Sequence, residues 1–376
     1  MRILLLGEYS NVHNTLAEGL REAGHEATVA SNGDFWKCYP RDIDLSRRGG
    51  KVGGLALWAK LNLLAACWKG YDVVQVINPM FAELKAERLA PLLRRIAARN
   101  GLLSMGAYGI DAYYVKACTD TETFRYSDFN IGSEVKSDSY SLRQMADWTG
   151  TAKEALNRET AGRCGLIAAG LYEYWRSYQP EFPGKTRFIP FPIRVDPLRE
   201  PRPVGRRLKV FVGISKGRSV YKGTDIMLRA AMDAAAENPG RVDVEVAEGL
   251  PFAEYRERME GCDVVLDQLY GYSPAMNALL AMGKGMVCVG GGEEEHYRLM
   301  GEDRLRPVVN VQPSYQSVKD AVSRLARDKA LVADLKRQGL EYVAKHHDHL
   351  KVARRYAGEY AAAIARQVAR AVYSGA

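Results

Sequence analysis

A basic loop, residues 215–223, follows a buried strand in the second half of the chain. Its cations are Lys216, Arg218 and Lys222. The apolar run over residues 208–214 predicts a strand before the loop, and Gly223 and Thr224 open a predicted helix after it. Ligands of an open α/β sheet bind at the carboxyl ends of its strands, so these side chains should meet a ligand there. Cations beside a helix start suit a phosphate-bearing ligand.

A second strand, turn and helix follow in the same order further along the chain. Residues 263–267 predict a strand, GYSP predicts a turn, and a helix is predicted from about Pro274, with Asn277 near its start. Ser273 is a natural N-cap and Pro274 fits the first helical position, which leaves free amides available to an anion. Two anion-facing loops in one half of the chain predict a diphosphate ligand, and we place Ser273, Pro274 and Asn277 at its site.

The spacing of these residues resembles that of a known family. The string K-G-R-x-x-x-K-G-T-D is followed by A-M-x-x-G-x-x-x-x-x-G-G. Together they are similar to the nucleotide-sugar half of GT-B glycosyltransferases, specifically the large retaining family 4 group. In that family a basic residue and a lysine hold the donor diphosphate, and an E-x7-E pair before A-M-x-x-G binds the sugar and the ribose.

The resemblance assigns roles residue by residue. Alignment on A-M-x-x-G places Lys222 on the family lysine, with either Lys216 or Arg218 as its basic partner. The same alignment places Tyr272 and Leu280 at the two glutamate positions, so both carboxylates are absent.

The resemblance also implies a fold and an activity. The expected fold is α/β, with two Rossmann-like domains facing across a cleft and a C-terminal helix crossing back to the N-terminal domain. The implied reaction moves a sugar from a nucleoside diphosphate donor to a glycan or lipid-linked acceptor, with retention of configuration. The basic loop would stabilise the departing diphosphate. Because the glutamates are missing, a catalytically silent sugar-nucleotide-binding protein and a nucleotide-sugar epimerase remain alternatives.

No cofactor and no metal are expected, because GT-B enzymes generally neutralise the diphosphate with cations and amides. Three histidines lie close together near the last predicted helix. They are His346, His347 and His349, and they lack a second set of ligands of the kind that metal sites need.

An acidic turn, residues 291–295, leaves the strand predicted over residues 285–289. It comprises Gly291, Gly292, Glu293, Glu294 and Glu295. The turn should open on the same sheet edge as the basic loop, where a carboxylate would accept hydrogen bonds from sugar hydroxyls in place of the lost glutamates. The alternative is that these glutamates only interact with the dipole of the following helix.

Two stretches of the first half carry polar side chains at predicted strand ends. GEYSNVHN has a single glycine instead of the G-x-G-x-x-G spacing of a dinucleotide site. His13 in this loop either meets the acceptor, as the resemblance implies, or is an ordinary loop residue while Asn14 caps the helix. YGIDAYY resembles the family's HGxD turn, with Tyr108 in place of histidine. Asp111 either orients a substrate hydroxyl or caps a helix.

The composition bounds the class of protein. The chain has 376 residues, 47% of them hydrophobic, which is enough for two packed domains. A net charge of +8 suits phosphate-rich substrates, an anionic membrane surface or nucleic acid. No RRM, KH or zinc-finger signature favours nucleic acid, so we expect none as a partner. Six cysteines without CxxC spacing are typical of reduced thiols in the cytoplasm. We see no signal peptide and no apolar stretch that could span a membrane.

A proline-rich segment, IPFPIRVDPLREPRPVG, divides the chain. Proline fixes φ and removes a backbone donor, so this segment should be an extended linker. We predict an N-terminal Rossmann-like domain over residues 1–193 that binds the acceptor, and a nucleotide-sugar domain over residues 194–350. Strands near residues 208, 242, 263, 285 and 307 alternate with helices in the second domain. Residues 351–376 should form the helix that crosses back. Its apolar face consists of Val352, Tyr356, Tyr360, Ile364, Val368 and Val372.

Two predicted helices of the first half bear on membrane contact. Residues 54–70 are apolar around most of the helix circumference, so we expect burial against the sheet, with membrane contact near a lipid-linked acceptor as the alternative. Residues 84–101 predict a basic amphipathic helix whose polar face is either solvated or set against anionic lipid. The expected location is the cytoplasm, with peripheral contact at the inner face of the membrane as the alternative.

Overall fold

The computed structural model describes residues 1–215, 217–250 and 252–374, and its helices cover two parallel sheets. The strands are β1 (Arg2–Leu6), β2 (Glu26–Ser31), β3 (Ile43–Asp44), β4 (Val73–Val76), β5 (Leu102–Gly106), β6 (Asn130–Ile131), β7 (Glu134–Val135), β8 (Leu166–Ala169), β9 (Thr186–Phe188), β10 (Leu208–Ile214), β11 (Val242–Glu248), β12 (Val264–Leu266), β13 (Val287–Gly290) and β14 (Val308–Asn310). The helices are α1 (Val12–Glu22), α2 (Gly50–Cys67), α3 (Ala86–Ala97), α4 (Ala112–Thr119), α5 (Ser139–Trp148), α6 (Ala152–Arg163), α7 (Tyr172–Tyr178), α8 (Ser219–Lys222), α9 (Thr224–Glu237), α10 (Phe252–Met259), α11 (Met276–Gly283), α12 (Glu294–Met300), α13 (Tyr315–Arg327), α14 (Lys329–His346) and α15 (His349–Ser374).

The first sheet has the strand order β3-β2-β1-β4-β5-β8-β9, and neighbouring strands are parallel. Side chains of a strand alternate between the two faces, and both faces of this sheet are covered. Leu4 and Leu6 of β1 pack beneath α2, α3 and α6, whereas Ile3 and Leu5 pack beneath α1 and α15. Both faces of β1 are therefore fully buried, which explains its continuous apolar sequence.

The second sheet has the order β11-β10-β12-β13-β14 and is also parallel. The five strands that alternation with helices predicted for this half are confirmed, and β10 spans the predicted residues. Because β10 and β13 run in the same direction, the basic loop and the acidic turn leave the sheet at the same edge. The predicted division of the chain after residue 193 stays a prediction.

Helix α15 lies against α1 of the first half, as predicted for a C-terminal helix that crosses back. Val352, Tyr356 and Tyr360 are buried there. The contact is close at Gly19, where an added Cβ would lie 2.4 Å from the carbonyl oxygen of His349. The apolar face ends earlier than predicted, since Val368 is 58% exposed. The side chain of residue 372 lies outside the described part of the chain.

The predicted position of the first loop was wrong. Helix α1 begins at Val12, so His13 and Asn14 lie in its first turn. The carboxyl group of Glu8 accepts hydrogen bonds from the amides of His13 and Asn14, at 3.3 and 2.9 Å. Asn11 takes the N-cap position, and Asn14 does not cap the helix, because Glu8 already bonds the amides that need a partner.

The predicted N-terminal capping of α11 was also wrong. The helix begins at Met276 with Ala275 at the N-cap position, so Ser273 and Pro274 precede it. The basic loop, in turn, contains the short helix α8, which the sequence did not predict.

Among the described residues, no helix combines the length and apolar character that crossing a bilayer requires.

Candidate functional site

A cleft of about 1810 Å³ lies between the two halves of the chain. Residues that follow β1, β4, β5 and β8 line it from the first half, and residues that follow β10, β11 and β12 line it from the second. The carboxyl edges of both sheets therefore face one space. This is the edge at which open α/β sheets bind ligands.

The basic loop contributes Arg218 and Lys222 to the lining of this cleft. Burial lowers the pKa of Lys222, the charge of Arg218 lowers it further, and the charges of Asp267 and Asp128 oppose the change. The Nε of Arg218 is buried and has no hydrogen-bond partner among the described residues. An unpartnered donor beside a second cation suits an anionic ligand. Lys216, the alternative partner of Lys222, lies outside the residues that the structure describes.

Gly223 and Thr224 follow Lys222 in the chain and are not among the residues that line the cleft. Gly223 has a φ of 70°, and a Cβ at this position would lie 2.6 Å from the Cβ of Leu269, so only glycine fits. The hydroxyl of Thr224 lies 2.9 Å from that of Ser219. These two predicted site residues shape the loop that carries the cations.

A polar group at the end of β12 was missed by the sequence analysis. Asp267 lines the cleft, and Nδ2 of Asn277 donates to its Oδ1 at 3.2 Å. The Tyr255 hydroxyl donates to Oδ1 of Asn277 at 3.0 Å. Burial raises the pKa of Asp267, while the charge of Lys222 lowers it. Asp267 closes a predicted strand at the ligand-binding edge, and this position was the available signal.

The GYSP turn does meet an anion, but the anion belongs to the protein. The buried carboxylate of Glu173, in α7 of the first half, accepts from the amides of Tyr272 and Ser273, at 2.5 and 3.1 Å. The Ser273 hydroxyl donates to the same carboxylate at 2.8 Å. Ser273 and the adjoining Pro274 therefore lie in a contact between the halves, outside the cleft lining.

The acidic turn is also held by the protein. Glu293 is 8% exposed and accepts hydrogen bonds from four side chains. The donors are Arg125 Nη2 at 2.8 Å, Tyr126 Oη at 2.5 Å, Asn310 Nδ2 at 2.9 Å and Gln312 Nε2 at 2.9 Å. Glu294 forms an ion pair with Arg306 at 3.1 Å, and Glu295 forms one with Arg125 at 2.5 Å. None of the three glutamates is among the residues that line the cleft.

The glycines of this turn allow close packing. A Cβ on Gly291 would lie 2.1 Å from the carbonyl oxygen of Gly271, and the amide of Gly292 donates to Oδ1 of Asn310 at 3.0 Å. Both glycines lie outside the cleft lining.

The two positions that the resemblance assigns to glutamates differ in location. Leu280 lines the cleft with an apolar side chain. Tyr272 is 2% exposed and lies at the contact between the halves, where its hydroxyl accepts from the amide of Arg125 at 2.9 Å. The guanidinium carbon of Arg125 lies 5.1 Å from the centre of the Tyr272 ring.

The first-half candidates His13 and Asp111 are buried outside the cleft lining. The Nδ1 of His13 lies 2.9 Å from the Gly7 carbonyl, and burial lowers the pKa of His13 to about 3. Asp111 caps α4 by accepting from the amide of Tyr114, and it accepts from the hydroxyl of Tyr178 at 2.6 Å. Burial raises the pKa of Asp111 to about 6. The geometry of Asp111 matches the helix-cap alternative of the sequence analysis. His13 matches neither alternative, because it lies in the first turn of α1 and not in a loop.

Glu8 is a titratable group of the first half that does line the cleft. Burial raises its pKa to about 8, although the amides of Asn14 and His13 act in the opposite direction. A carboxyl group with this pKa keeps its proton at neutral pH and can exchange it close to that pH.

The three clustered histidines each have a partner within the fold. His346 lies 2.6 Å from Glu302, His347 lies 2.9 Å from the Phe191 carbonyl, and His349 lies 3.2 Å from Glu22. Across the residues covered by the structure, no group of three His, Cys, Asp or Glu side chains is placed to hold a metal ion.

Comparison with known proteins bears on the fold. No family model and no curated protein matches the chain. Sucrose-phosphate synthase from Thermosynechococcus elongatus matches with a TM-score of 0.59 and 12% identity over 100% of both chains. HepE from Anabaena, in complex with UDP and glucose, matches at 0.59 and 14%, over 96% of this chain and 100% of its own. A putative UDP-N-acetylglucosamine 2-epimerase from Listeria monocytogenes matches at 0.55 and 10%, over 94% of each chain. At these identities the likeness shows the fold, and it confirms the predicted GT-B arrangement of two Rossmann-like domains.

Proposed function

We propose that this protein is a glycosyltransferase that moves a sugar from a nucleoside diphosphate sugar to a glycan or lipid-linked acceptor. The observation that carries the proposal is the position of Arg218 and Lys222, which face a cleft between two Rossmann-like domains at the carboxyl end of β10. Cations at this edge suit a diphosphate. The likeness in fold to HepE, which was solved with UDP and glucose, supports the same class of donor.

In this proposal Lys222 and Arg218 bind the diphosphate and stabilise the negative charge that develops as it departs. Lys216 stays the alternative to Arg218. The carboxylate of Asp267 and the amide of Asn277 are placed in the same cleft to accept and donate hydrogen bonds to sugar or ribose hydroxyls. They would take the role that the missing family glutamates leave open.

The proposed chemical step is a substitution at the anomeric carbon of the donor. The bond to the diphosphate oxygen breaks, the acceptor hydroxyl oxygen forms the new bond, and its proton passes to the departing diphosphate. Attack on the same face as the leaving group gives retention, as the family resemblance implies. The acceptor would enter along the first-half wall of the cleft, where Glu8 and Tyr9 lie.

We propose that the transfer needs no divalent metal, because the cations of the basic loop neutralise the diphosphate. Activity should therefore persist in EDTA and should not rise when magnesium or manganese is added back. A strict requirement for either ion would contradict this part of the proposal.

A nucleotide-sugar epimerase and a silent nucleotide-sugar-binding protein remain alternatives, and the likeness in fold to a putative epimerase supports the first of them. A thermal-shift screen with UDP-glucose, ADP-glucose and UDP-N-acetylglucosamine would first identify a donor. Turnover of that donor would then be followed with and without a panel of glycan acceptors. A transferase forms a glycosylated acceptor, an epimerase converts the donor without one, and a silent protein binds without turnover.

We also propose a cytoplasmic location with peripheral contact to an anionic membrane. Helix α2 buries Leu57, Leu61 and Ala65 against the sheet, so the predicted burial holds for one face only. Its opposite side exposes Val52 and Leu63 by 81% and 71%. A solvent-exposed apolar stripe of this kind suits the boundary of a lipid bilayer.

Basic side chains border this stripe. Lys51, Lys60 and Arg88 are exposed around it, and the guanidinium of Arg88 lies 5.7 Å from the centre of the Trp58 ring. Cations beside an apolar stripe complement anionic headgroups. Vesicles of phosphatidylglycerol and phosphatidylcholine should retain the wild type in a flotation assay, whereas Leu63→Ser should weaken retention. Leu142→Ser, on the exposed side of α5, is the matched control. Equal retention of both variants, or self-association through α2, would overturn this proposal.

A further inference from the structure

A bridging segment, residues 124–140, leaves the first half after α4 and lies against the basic loop of the second half. It contains the hairpin of β6 and β7 and the beginning of α5. The segment therefore joins first-half residues to the loop that carries the cleft cations. Its contacts with this loop centre on Tyr221, the residue immediately before Lys222.

Tyr221 is almost completely enclosed, with 1% of its surface exposed. Its hydroxyl donates to Oδ2 of Asp128 at 2.7 Å. The Tyr114 hydroxyl donates to the same oxygen at 3.0 Å, but this second bond lies within the first half. Asp128 thus joins one tyrosine of each half.

Lys136 of the bridging segment holds the backbone of the same residue. Its ammonium donates to the Tyr221 carbonyl at 2.8 Å and lies 3.6 Å from the centre of the Tyr270 ring. The Tyr140 ring lies 4.7 Å from that of Tyr221, and the Arg218 guanidinium carbon lies 5.3 Å from the Tyr140 ring centre. Arg218 therefore contacts a ring of the first half, and Lys222 directly follows the residue that the first half holds.

The basic loop has few means of holding this geometry alone. Helix α8 has four residues, and a helix this short has little stability without tertiary contacts. Gly217 and Gly223 flank it in the left-handed region, with φ of 72° and 70°. Within the second half, the amide of Leu269 donates to the Lys222 carbonyl at 3.0 Å. The bridging segment adds the bonds of Asp128 and Lys136 to Tyr221 of this short helix.

We infer that Tyr221 is a positioning residue, through which Asp128 and Lys136 of the first half set Arg218 and Lys222 in place for the ligand. Binding of a diphosphate in the cleft and docking of the bridging segment then strengthen each other, since coupling between two equilibria is reciprocal. This inference rests on the proposed nucleotide-sugar site.

The test compares Tyr221→Phe with Tyr315→Phe, because each variant removes one tyrosine hydroxyl from an aspartate carboxylate. The bond of Tyr315 to Asp233, at 2.6 Å, lies outside the cleft lining. Calorimetry with UDP and ADP should show affinity about tenfold weaker for Tyr221→Phe. The Tyr315→Phe control should bind like the wild type. Equal affinity of the two variants would overturn the inference.

Hydrogen exchange of the ligand-free protein tests the same inference without any nucleotide. Amides of residues 217–223 should exchange about tenfold faster in Tyr221→Phe, because the loop loses a charge-assisted contact. Lys136→Met keeps the apolar stem and removes the ammonium, so it should show the same effect even if Tyr221→Phe folds poorly. Unchanged exchange in both variants would overturn the positioning role. A third outcome is that the wild type binds neither UDP nor ADP while the variants still exchange faster. That outcome would contradict the nucleotide site but not the positioning role of Tyr221.

Discussion

The basic loop and the acidic turn leave the same edge of the second sheet, yet their charges meet different surroundings. Arg218 and Lys222 line the open cleft. Glu293 accepts from Arg125 and Tyr126 of the first half and is withdrawn from the cleft. Both regions follow the carboxyl end of a strand, and both carry clustered charge. Neither the position nor the charge therefore distinguishes a ligand contact from a structural contact.

The difference between the two regions lies in what the first half places opposite each one. The bridging segment presents Arg125 to the acidic turn, where it forms ion pairs with Glu293 and Glu295. It presents a carboxylate and aromatic rings to Tyr221, which leaves the adjacent cations free to face the cleft. A charge at a strand end therefore stays accessible to a ligand only where the first half does not pair with it.

The largest expected effect is on nucleotide affinity when the basic loop loses Lys222. Lys222→Ala removes a charge-assisted contact, for which about 1.5 to 3 kcal/mol, or tenfold or more in affinity, is expected. Calorimetry with the donor found by screening measures it. Lys319→Ala is a matched control, because Lys319 pairs with Glu237 outside the cleft at 2.6 Å. Unchanged affinity in Lys222→Ala would remove the basis for a diphosphate site at this loop.

A substitution in the acidic turn should lower the free energy of unfolding. Glu293→Gln replaces one carboxylate oxygen with an NH₂ group. Both oxygens of Glu293 accept hydrogen bonds, so in either orientation of the amide the NH₂ group faces a donor of a neighbouring side chain. The expected loss is about 1 to 3 kcal/mol in the free energy of unfolding, measured with denaturant, while nucleotide affinity changes little.

The neighbouring glutamates provide controls for this experiment. Glu294→Gln should cost less than about 1 kcal/mol, because Glu294 is 61% exposed and its pair with Arg306 lies at the surface. A tenfold loss of turnover in Glu293→Gln, without loss of stability, would favour the predicted sugar contact.

Local sequence patterns were sufficient for the sheets. Apolar runs located β10 at its exact bounds and the other strands of the second half within a few residues, because burial on both faces leaves a continuous signal. The same local rules placed a helix start at Ser273 and failed. Glu173 bonds the amides of Tyr272 and Ser273 from 99 and 100 residues away, and no local pattern contains that contact.

The candidate site was also predictable where local spacing determines it, but not where long-range contacts do. The K-G-R-x-x-x-K-G spacing identified two residues that line the cleft, Arg218 and Lys222. The bridging segment was not identified, because its role depends on long-range pairs. Arg125 and Glu293 are 168 residues apart, and Asp128 and Tyr221 are 93 apart. Such pairs become visible only once the halves are placed together.

Alkaline pH should weaken the basic loop while leaving the acidic turn intact. Burial and the charge of Arg218 lower the pKa of Lys222, so its ammonium loses its proton below the ordinary lysine pKa of about 10.4. Neither the diphosphate diester nor the adenine of ADP-glucose titrates in this range, so the affinity for ADP-glucose should fall as the pH rises towards that value. The slope should disappear in Lys222→Ala. A slope that persists in the variant would assign the titration to another group.

Acidic pH should weaken the acidic turn while leaving the basic loop intact. The expected effect is on the free energy of unfolding, and it is the smallest of the effects predicted here. Burial alone would raise the pKa of Glu293, but hydrogen bonds from Asn310, Tyr126 and Gln312 hold it below the ordinary value, with the charge of Arg125 adding to them. A carboxylate with a depressed pKa stabilises the fold fully above the pKa of the unfolded chain, about 4.3. Its contribution is lost as the pH falls through its own lower pKa, because the unfolded chain then binds more protons. The difference in unfolding free energy between the wild type and Glu293→Gln should therefore shrink below that pH, whereas the difference for Lys222→Ala should not. A constant difference for Glu293→Gln from neutral to acidic pH would mean that its charge does not hold the turn.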